Sequence, residues 1–239
     1  GLMPDELAEL RREQDENDTV FGVDAERLHA LVSQLSADGI DIPLDKQNAD
    51  YMLLTSAIEV LLYPDALAAN ARILNKAGIN WTIFSDAFEA TNFGYITGDS
   101  PMLKRTIKKL VDKARSSGIN TVVVPESGHA YHVIRWLGAN AIKDELPFDV
   151  LSMPELIARE LGAGKIALKK QANGTSVTYH DPCRLGRKGG VLQEPRDILR
   201  EMGFELRETD ANGRENYCCG GGCGEFALSS AATLRQQAF

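Results

Sequence analysis

Apolar residues first recur at helical spacing. Residues 1–37 read as two helices interrupted at Asn17, Asp18 and Thr19, and in the second Leu28, Leu31, Val32 and Leu35 form one stripe to be buried. After a loop over 39–47 that contains Pro43, short continuous apolar runs alternate with longer amphipathic ones. The runs at 51–55, 81–84, 121–124 and 150–153 have the length of buried strands. The stretches at 64–76, 101–116, from Ala130 onward and at 154–161 have the spacing of helices, and Pro64, Pro101 and Pro154 each fall in a first turn, where the missing N–H costs nothing. This alternation predicts a mostly parallel sheet covered by helices.

A second, shorter round follows a linker over 165–175: a strand at 177–179, a helix at 195–202, a strand at 204–207, a glycine-rich loop and a helix from Glu225. The two rounds share punctuation. Pro64 opens a helix that Gly78 ends, and the next loop reaches Asn92-Phe93-Gly94; Pro195 opens a helix that Gly203 ends, and its loop reaches Cys218-Cys219-Gly220. The chain is therefore expected to be α/β, with two Rossmann-like βα repeats of mostly parallel sheet and an N-terminal helical extension. The expected divisions are 1–48 for the extension, 49–164 for the first repeat and 165–239 for the second. Such folds place their chemistry at the carboxyl ends of the strands.

Composition narrows the function. At 44% hydrophobic and 25% charged residues the chain is expected to be globular, and its apolar runs, such as 52–54 and 58–62, fall far short of a membrane span. The N-terminus lacks the basic-then-apolar order of a signal peptide, so a cytoplasmic location is expected, with any link to the inner membrane made through a partner. A net charge of −8 without a block of Lys or Arg argues against nucleic acid. Gly186-Arg187-Lys188-Gly189-Gly190 lacks the glycine order of a dinucleotide fingerprint.

The four cysteines change the picture most. All lie after residue 180, and three fall within six residues. Cys183 follows a predicted strand in His180-Asp181-Pro182-Cys183, and 34 intervening residues separate it from Cys218-Cys219-Gly220-Gly221-Gly222-Cys223-Gly224. In a reducing compartment such crowding favours metal or redox chemistry over structural disulfides. Glycines let backbone approach an anion closely and leave N–H groups free to bond sulfur. Adjacent thiolates suit a multinuclear cluster better than one tetrahedral ion.

The segment 179–187, then Glu194-Pro195-Arg196, then Cys218-Cys219-Gly220-Gly221-Gly222 resembles the second motif of the CCG, or cysteine-rich, domain family of iron-sulfur oxidoreductase subunits, which includes those of heterodisulfide reductase and glycolate oxidase. The stretch from Trp81 through Phe88-Glu89-Ala90-Thr91-Asn92-Phe93-Gly94, with Glu126-Ser127-Gly128-His129-Ala130-Tyr131, resembles a first copy. In that family each complete motif binds an open, noncubane four-iron four-sulfur cluster through five cysteines, and the clusters cleave or form disulfides by one-electron steps. The resemblance implies Cys183, Cys218 and Cys219 as ligands and Gly220 in the cofactor-binding loop. Cys223, where the family usually has glycine, is a substitute ligand or a bystander. The first copy departs from the pattern: Asn92 and Phe93 stand where a cysteine pair would be, and Ser127 where a cysteine is expected, which implies a cluster-free scaffold. The family's closing Cys-x-x-Cys is not reached before Phe239, so the sequence is expected to be part of a longer chain.

Rival readings stay open at this stage. Zinc held by Cys183, Cys218 or Cys219, Cys223 and a histidine, with His180 the obvious nitrogen, would make a structural scaffold or docking module. A disulfide in an apo form is a third. Arg184, Arg187 and Lys188 would offset thiolate charge or form a solvated turn. His129 and His132, three apart on a predicted helix, are either a metal pair or, as favoured here because no cysteine or carboxylate clearly converges on them, part of a packed helix face; Glu126 reads as a carboxylate ahead of that helix, and Phe84, Phe88 and Phe93 as core. A one-cluster subunit without a nucleotide site would need electrons from a ferredoxin-like domain or subunit, a flavoprotein or a membrane quinone-linked partner.

Overall fold

A computed structural model describes residues 3–169 and 174–237. The fold is α/β with parallel sheets. Two N-terminal helices, α1 (Asp5–Asn17) and α2 (Ala25–Ala37), meet at the predicted break, where Asp18 takes a left-handed conformation and Asp24 caps α2. There follow β1 (Tyr51–Leu53), α3 (Ala57–Leu62), α4 (Pro64–Lys76), β2 (Trp81–Thr82), α5 (Phe93–Thr97), α6 (Ser100–Ser117), β3 (Thr121–Val124) and α7 (Gly128–His132). After them come α8 (Gly138–Ile142), β4 (Asp149–Ser152) and α9 (Met153–Gly162). The four strands form one sheet in the order β2-β1-β3-β4, all parallel, with Tyr51 opposite both Trp81 and Thr121, and Thr121 opposite Asp149.

The sheet is buried on both faces, which is why its strands read as continuous apolar runs. Successive residues alternate between two cores. Leu53 and Val123 join Leu28, Val32, Leu67, Leu74 and Leu156 from α2, α4 and α9. Met52, Leu54, Val122 and Val124 join Ile107, Val111 and Ala114 of α6 with Ala130, Tyr131 and Ile134. Helix α2 of the predicted extension thus supplies core to the four-stranded sheet. Phe84, Phe88 and Phe93 are buried as expected.

Strand order reverses between β1 and β3, and such a reversal opens a crevice at the strands' carboxyl ends. The segments that follow β1 and β3, each a loop running into a helix, carry Ile58 of α3 and Glu126 to His129 into that region.

The second unit is smaller: β5 (Ser176–Val177), α10 (Glu194–Glu201) and β6 (Glu205–Leu206) form a two-stranded parallel sheet with its crossover helix, and α10 packs against α9. Residues 170–173 of the predicted 165–175 linker lie outside the described residues.

Three differences from the sequence reading have local causes. The apolar run after Ser56 is a helix, because the Ser56 hydroxyl accepts the Glu59 N–H at 3.2 Å and starts the turn. The helix expected from Ala130 begins at Gly128 and passes into a π-helical turn, Val133–Leu137, before α8. The helix expected from Glu225 is two 3₁₀ turns, Glu225–Ala227 and Ser229–Ala231, then α11 (Ala232–Gln237), because Leu228 is extended and breaks the run. Among the described residues no helix is long and apolar enough to cross a membrane.

Candidate metal centre

The thiol-bearing loops hang from a buried ion network. Asp181, with no exposed surface, accepts two bonds of 2.7 Å from the Arg196 guanidinium, whose other edge meets Glu208 at 2.7 and 3.0 Å and whose Nη1 donates to the Leu192 carbonyl. Burial alone would raise the Asp181 carboxyl. The Arg196 bonds and the Gly213 N–H at 2.6 Å reverse that and hold it below the usual range. Asn216 donates to the Asp181 carbonyl and accepts from Arg187. The aspartate before Cys183, the arginine of α10 and the loop before Cys218 are thereby joined, which explains why Asp181 and Arg196 belong to the motif.

The four cysteines, all free thiols, line a single cavity of about 500 Å³. Cys218 is exposed and the others half-buried. Burial raises the Cys183 thiol, the neighbouring Cys218 and Cys223 raise it further, and Arg184 opposes them. Cys223 is likewise raised by burial and eased by Arg184, whose Nε donates to its Sγ at 3.2 Å. Backbone N–H groups of Gly220 and Gly221 lie 3.4 Å from the sulfurs of Cys218 and Cys219. Cys223 has φ of 53°, a left-handed conformation that glycine adopts freely and a cysteine does not. Among the described residues no three His, Cys, Asp or Glu side chains converge closely enough to hold one ion, while all four thiols line the same cavity.

The opposite wall belongs to the four-stranded unit. Ser127 caps α7 through its hydroxyl, 3.2 Å from the Ala130 N–H, and Gly128 lets the backbone after Cys183 come close, since a Cβ there would lie 3.1 Å from the Leu185 nitrogen. The cap aims His129 at the thiols. Its Nδ1 lies 3.5 Å from Cys223 Sγ, and its Nε2 lies 3.3 Å from the Asn92 carbonyl. Arg184 crosses between the units, stacking on Tyr95 and donating to its hydroxyl at 2.8 Å.

The profile of a cysteine-rich domain family, CCG, matches residues 177–236, the segment that supplies all four thiols. By that match residues 177–236 are similar to a CCG domain, and the segment is called the CCG domain for that likeness. Similar proteins include an EtfAB:quinone oxidoreductase of Syntrophomonas wolfei, 25% identical over 81% of this chain and 27% of the relative. One component of the dihydromethanophenazine:CoB–CoM heterodisulfide reductase of Methanosarcina acetivorans is 31% identical over 65% of this chain and 39% of the relative. A probable membrane-anchored ferredoxin of Chromohalobacter salexigens is 26% identical over 79% and 29%. The chain thus spans 27 to 39% of these relatives.

Within the CCG domain the structure brings together Cys183, Cys218, Cys219 and Cys223, with Gly220 in the same loop. Four thiols, amide donors to sulfur and a guanidinium at one thiol are a donor set suited to an iron-sulfur cluster. Of the basic residues beside Cys183, Arg184 and Lys188 line the cavity with Arg187, but Arg187 is engaged by Asn216. His180 is not part of the cavity wall; the histidine there is His129, for which the sequence reading favoured a packed helix face over a metal pair with His132. The imidazole is indeed buried, yet one nitrogen faces a thiol. Asn92 and Ser127, at positions where cysteines were expected, are N-caps of α5 and α7. No local sequence signal pairs His129 with Cys223, because the contact joins residues 94 apart in the chain.

Proposed function

We propose that the CCG domain holds an iron-sulfur cluster, of the open four-iron four-sulfur type, on Cys183, Cys218 and Cys219, with Cys223 as a further donor and the backbone of Gly220 and Gly221 bonding to sulfur. The chain then acts as the electron-transferring, thiol-disulfide part of a multi-component oxidoreductase resembling heterodisulfide reductase. The observation that carries this reading is that four thiols from two loops line one cavity. The bound cluster would supply one-electron steps for making or breaking a disulfide.

The chain's own residues hold and tune the site. Arg184 places a fixed positive charge against Cys223, which favours thiolate. The raised Cys183 and Cys223 thiols release their protons when metal binds, so loading is pH-dependent. Relatives include a quinone oxidoreductase, a heterodisulfide reductase component and a probable ferredoxin. By analogy the partners are a ferredoxin-like domain or subunit, a flavoprotein or a membrane quinone-linked subunit.

Iron, sulfide and zinc contents, with an electron paramagnetic resonance spectrum, test the reading on full-length protein purified without oxygen. About four irons and four sulfides per chain, lost in Cys218→Ser and Cys219→Ser, is the expected result. One zinc without iron or sulfide would replace it with a zinc-stabilised docking module.

A further inference from the structure

We infer that His129, contributed by the four-stranded unit, is a nitrogen ligand of the metal site in the CCG domain, binding through Nδ1 beside Cys223. This rests on the reading of the site as an iron-sulfur centre. It makes the unit without cysteines a part of that centre and not only its scaffold.

Bonds of about 2.3 Å to sulfur and 2.05 Å to nitrogen, set at a tetrahedral angle, leave the two donor atoms about 3.6 Å apart. Cys223 Sγ and His129 Nδ1 are 3.5 Å apart, the separation of two ligands along one edge of a coordination tetrahedron.

The orientation of the ring agrees with that distance. A metal-binding imidazole ordinarily donates its other ring N–H to a carbonyl or carboxylate, which fixes the tautomer and leaves the remaining lone pair for the metal. His129 Nε2 has such a partner in the Asn92 carbonyl at 3.3 Å, so Nδ1 carries the free lone pair and faces the thiol. Tyr95 packs against the ring with centroids 5.4 Å apart and is itself held by Arg184, which restricts rotation of the imidazole.

The backbone of Cys223 points the same way. A non-glycine residue in the left-handed region carries a conformational cost that glycine at the same place would not. That cost is borne where the side chain reaches both His129 Nδ1 and Arg184 Nε.

The alternative is a plain S–H to nitrogen hydrogen bond with no metal at His129, and nitrogen spectroscopy separates the two. Full-length protein is purified without oxygen with histidine labelled by ¹⁵N or left at natural abundance, reduced to its paramagnetic state, and measured by electron spin echo envelope modulation. A directly bound nitrogen coupling that changes with the isotope and disappears in His129→Phe, with iron and sulfide retained, is the expected result. His129→Cys is expected to keep the iron and lower the midpoint potential, since a thiolate adds negative charge where the imidazole added none. Iron and sulfide at full count with no bound-nitrogen coupling in the wild type would overturn the inference and leave the site reading intact. A coupling that survives His129→Phe would overturn it as well. Zinc alone, without iron or sulfide, would overturn the reading and the inference together.

Discussion

In the four-stranded unit, neighbouring residues of β1 and β3 are buried on opposite faces, and apolar side chains from at least four helices close over them. In the CCG domain, Leu185 and Val191 are the large apolar side chains buried among the described residues, and both pack into the core of the first unit. Where the first unit has Trp81, Phe93 and Tyr131 at its centre, the CCG domain has Asp181 and Arg196. A domain this poor in apolar burial has little to offset chain entropy, and small domains of that kind depend on a metal or on a neighbour. The first unit therefore has a core of its own, and the second leans on that core and, on the proposed reading, on its metal.

Four experiments press on that difference, from the largest expected effect downward. Stripping metal with a chelator is expected to abolish hydrogen-exchange protection across residues 177–236 while β1, β3 and α6 stay protected; equal loss in both units would break the comparison. Next, Arg196→Met strands a buried carboxylate and should cost about 3–5 kcal/mol in chemical denaturation. It should also lower iron content, because the Asp181–Arg196 pair links the Cys183 and Cys218 loops; a variant of wild-type stability and full iron would remove the ion network from the account.

The third experiment uses pH, to which the two units respond with opposite sign. Burial raises the fully buried Glu59 of α3 to about 7, against hydrogen bonds from Thr55 and Asn70 and with help from Glu126. The folded state then holds a proton that the unfolded state releases near 4.5, so this contribution is complete below 4.5 and is lost as pH rises through about 7. Asp181 is depressed below its ordinary 3.8, so its contribution is present above that value and is lost as pH falls through the lower, folded one. In melts followed between pH 4 and 8, Glu59→Gln should flatten the decline of the first unit's stability toward higher pH; an unchanged slope would refute the assignment. The smallest effect is expected from Cys223→Gly, which should stabilise the metal-free protein by about 1 kcal/mol by relieving the left-handed conformation. A loss of stability instead would mean that the thiol's contacts with Arg184 and His129 outweigh the strain.

Most of the first unit was legible in the sequence. Proline at helix starts and continuous apolar runs place α4 at Pro64–Lys76 and β3 at Thr121–Val124, because these are local preferences of backbone and solvent. Helix α3 escaped notice since its six residues are too few to display a period, and a hydroxyl cap started it. The C-terminal helix was overextended because glycines and an extended Leu228 set the backbone there more than apolar spacing does.

By itself, the sequence determined the α/β class, the parallel strands and the thiol-bearing segment, because hydrophobic period, turn residues and cysteine spacing all act over a few residues. Which groups face those thiols was decided only by the tertiary structure. The reversal of strand order between β1 and β3 opens one crevice, and the Ser127 cap, the Asp181–Arg196 pair and the Arg184 bridge bring His129 and Cys223 to its opposite walls. That meeting depends on long-range packing, whose partners leave no periodic mark on the chain.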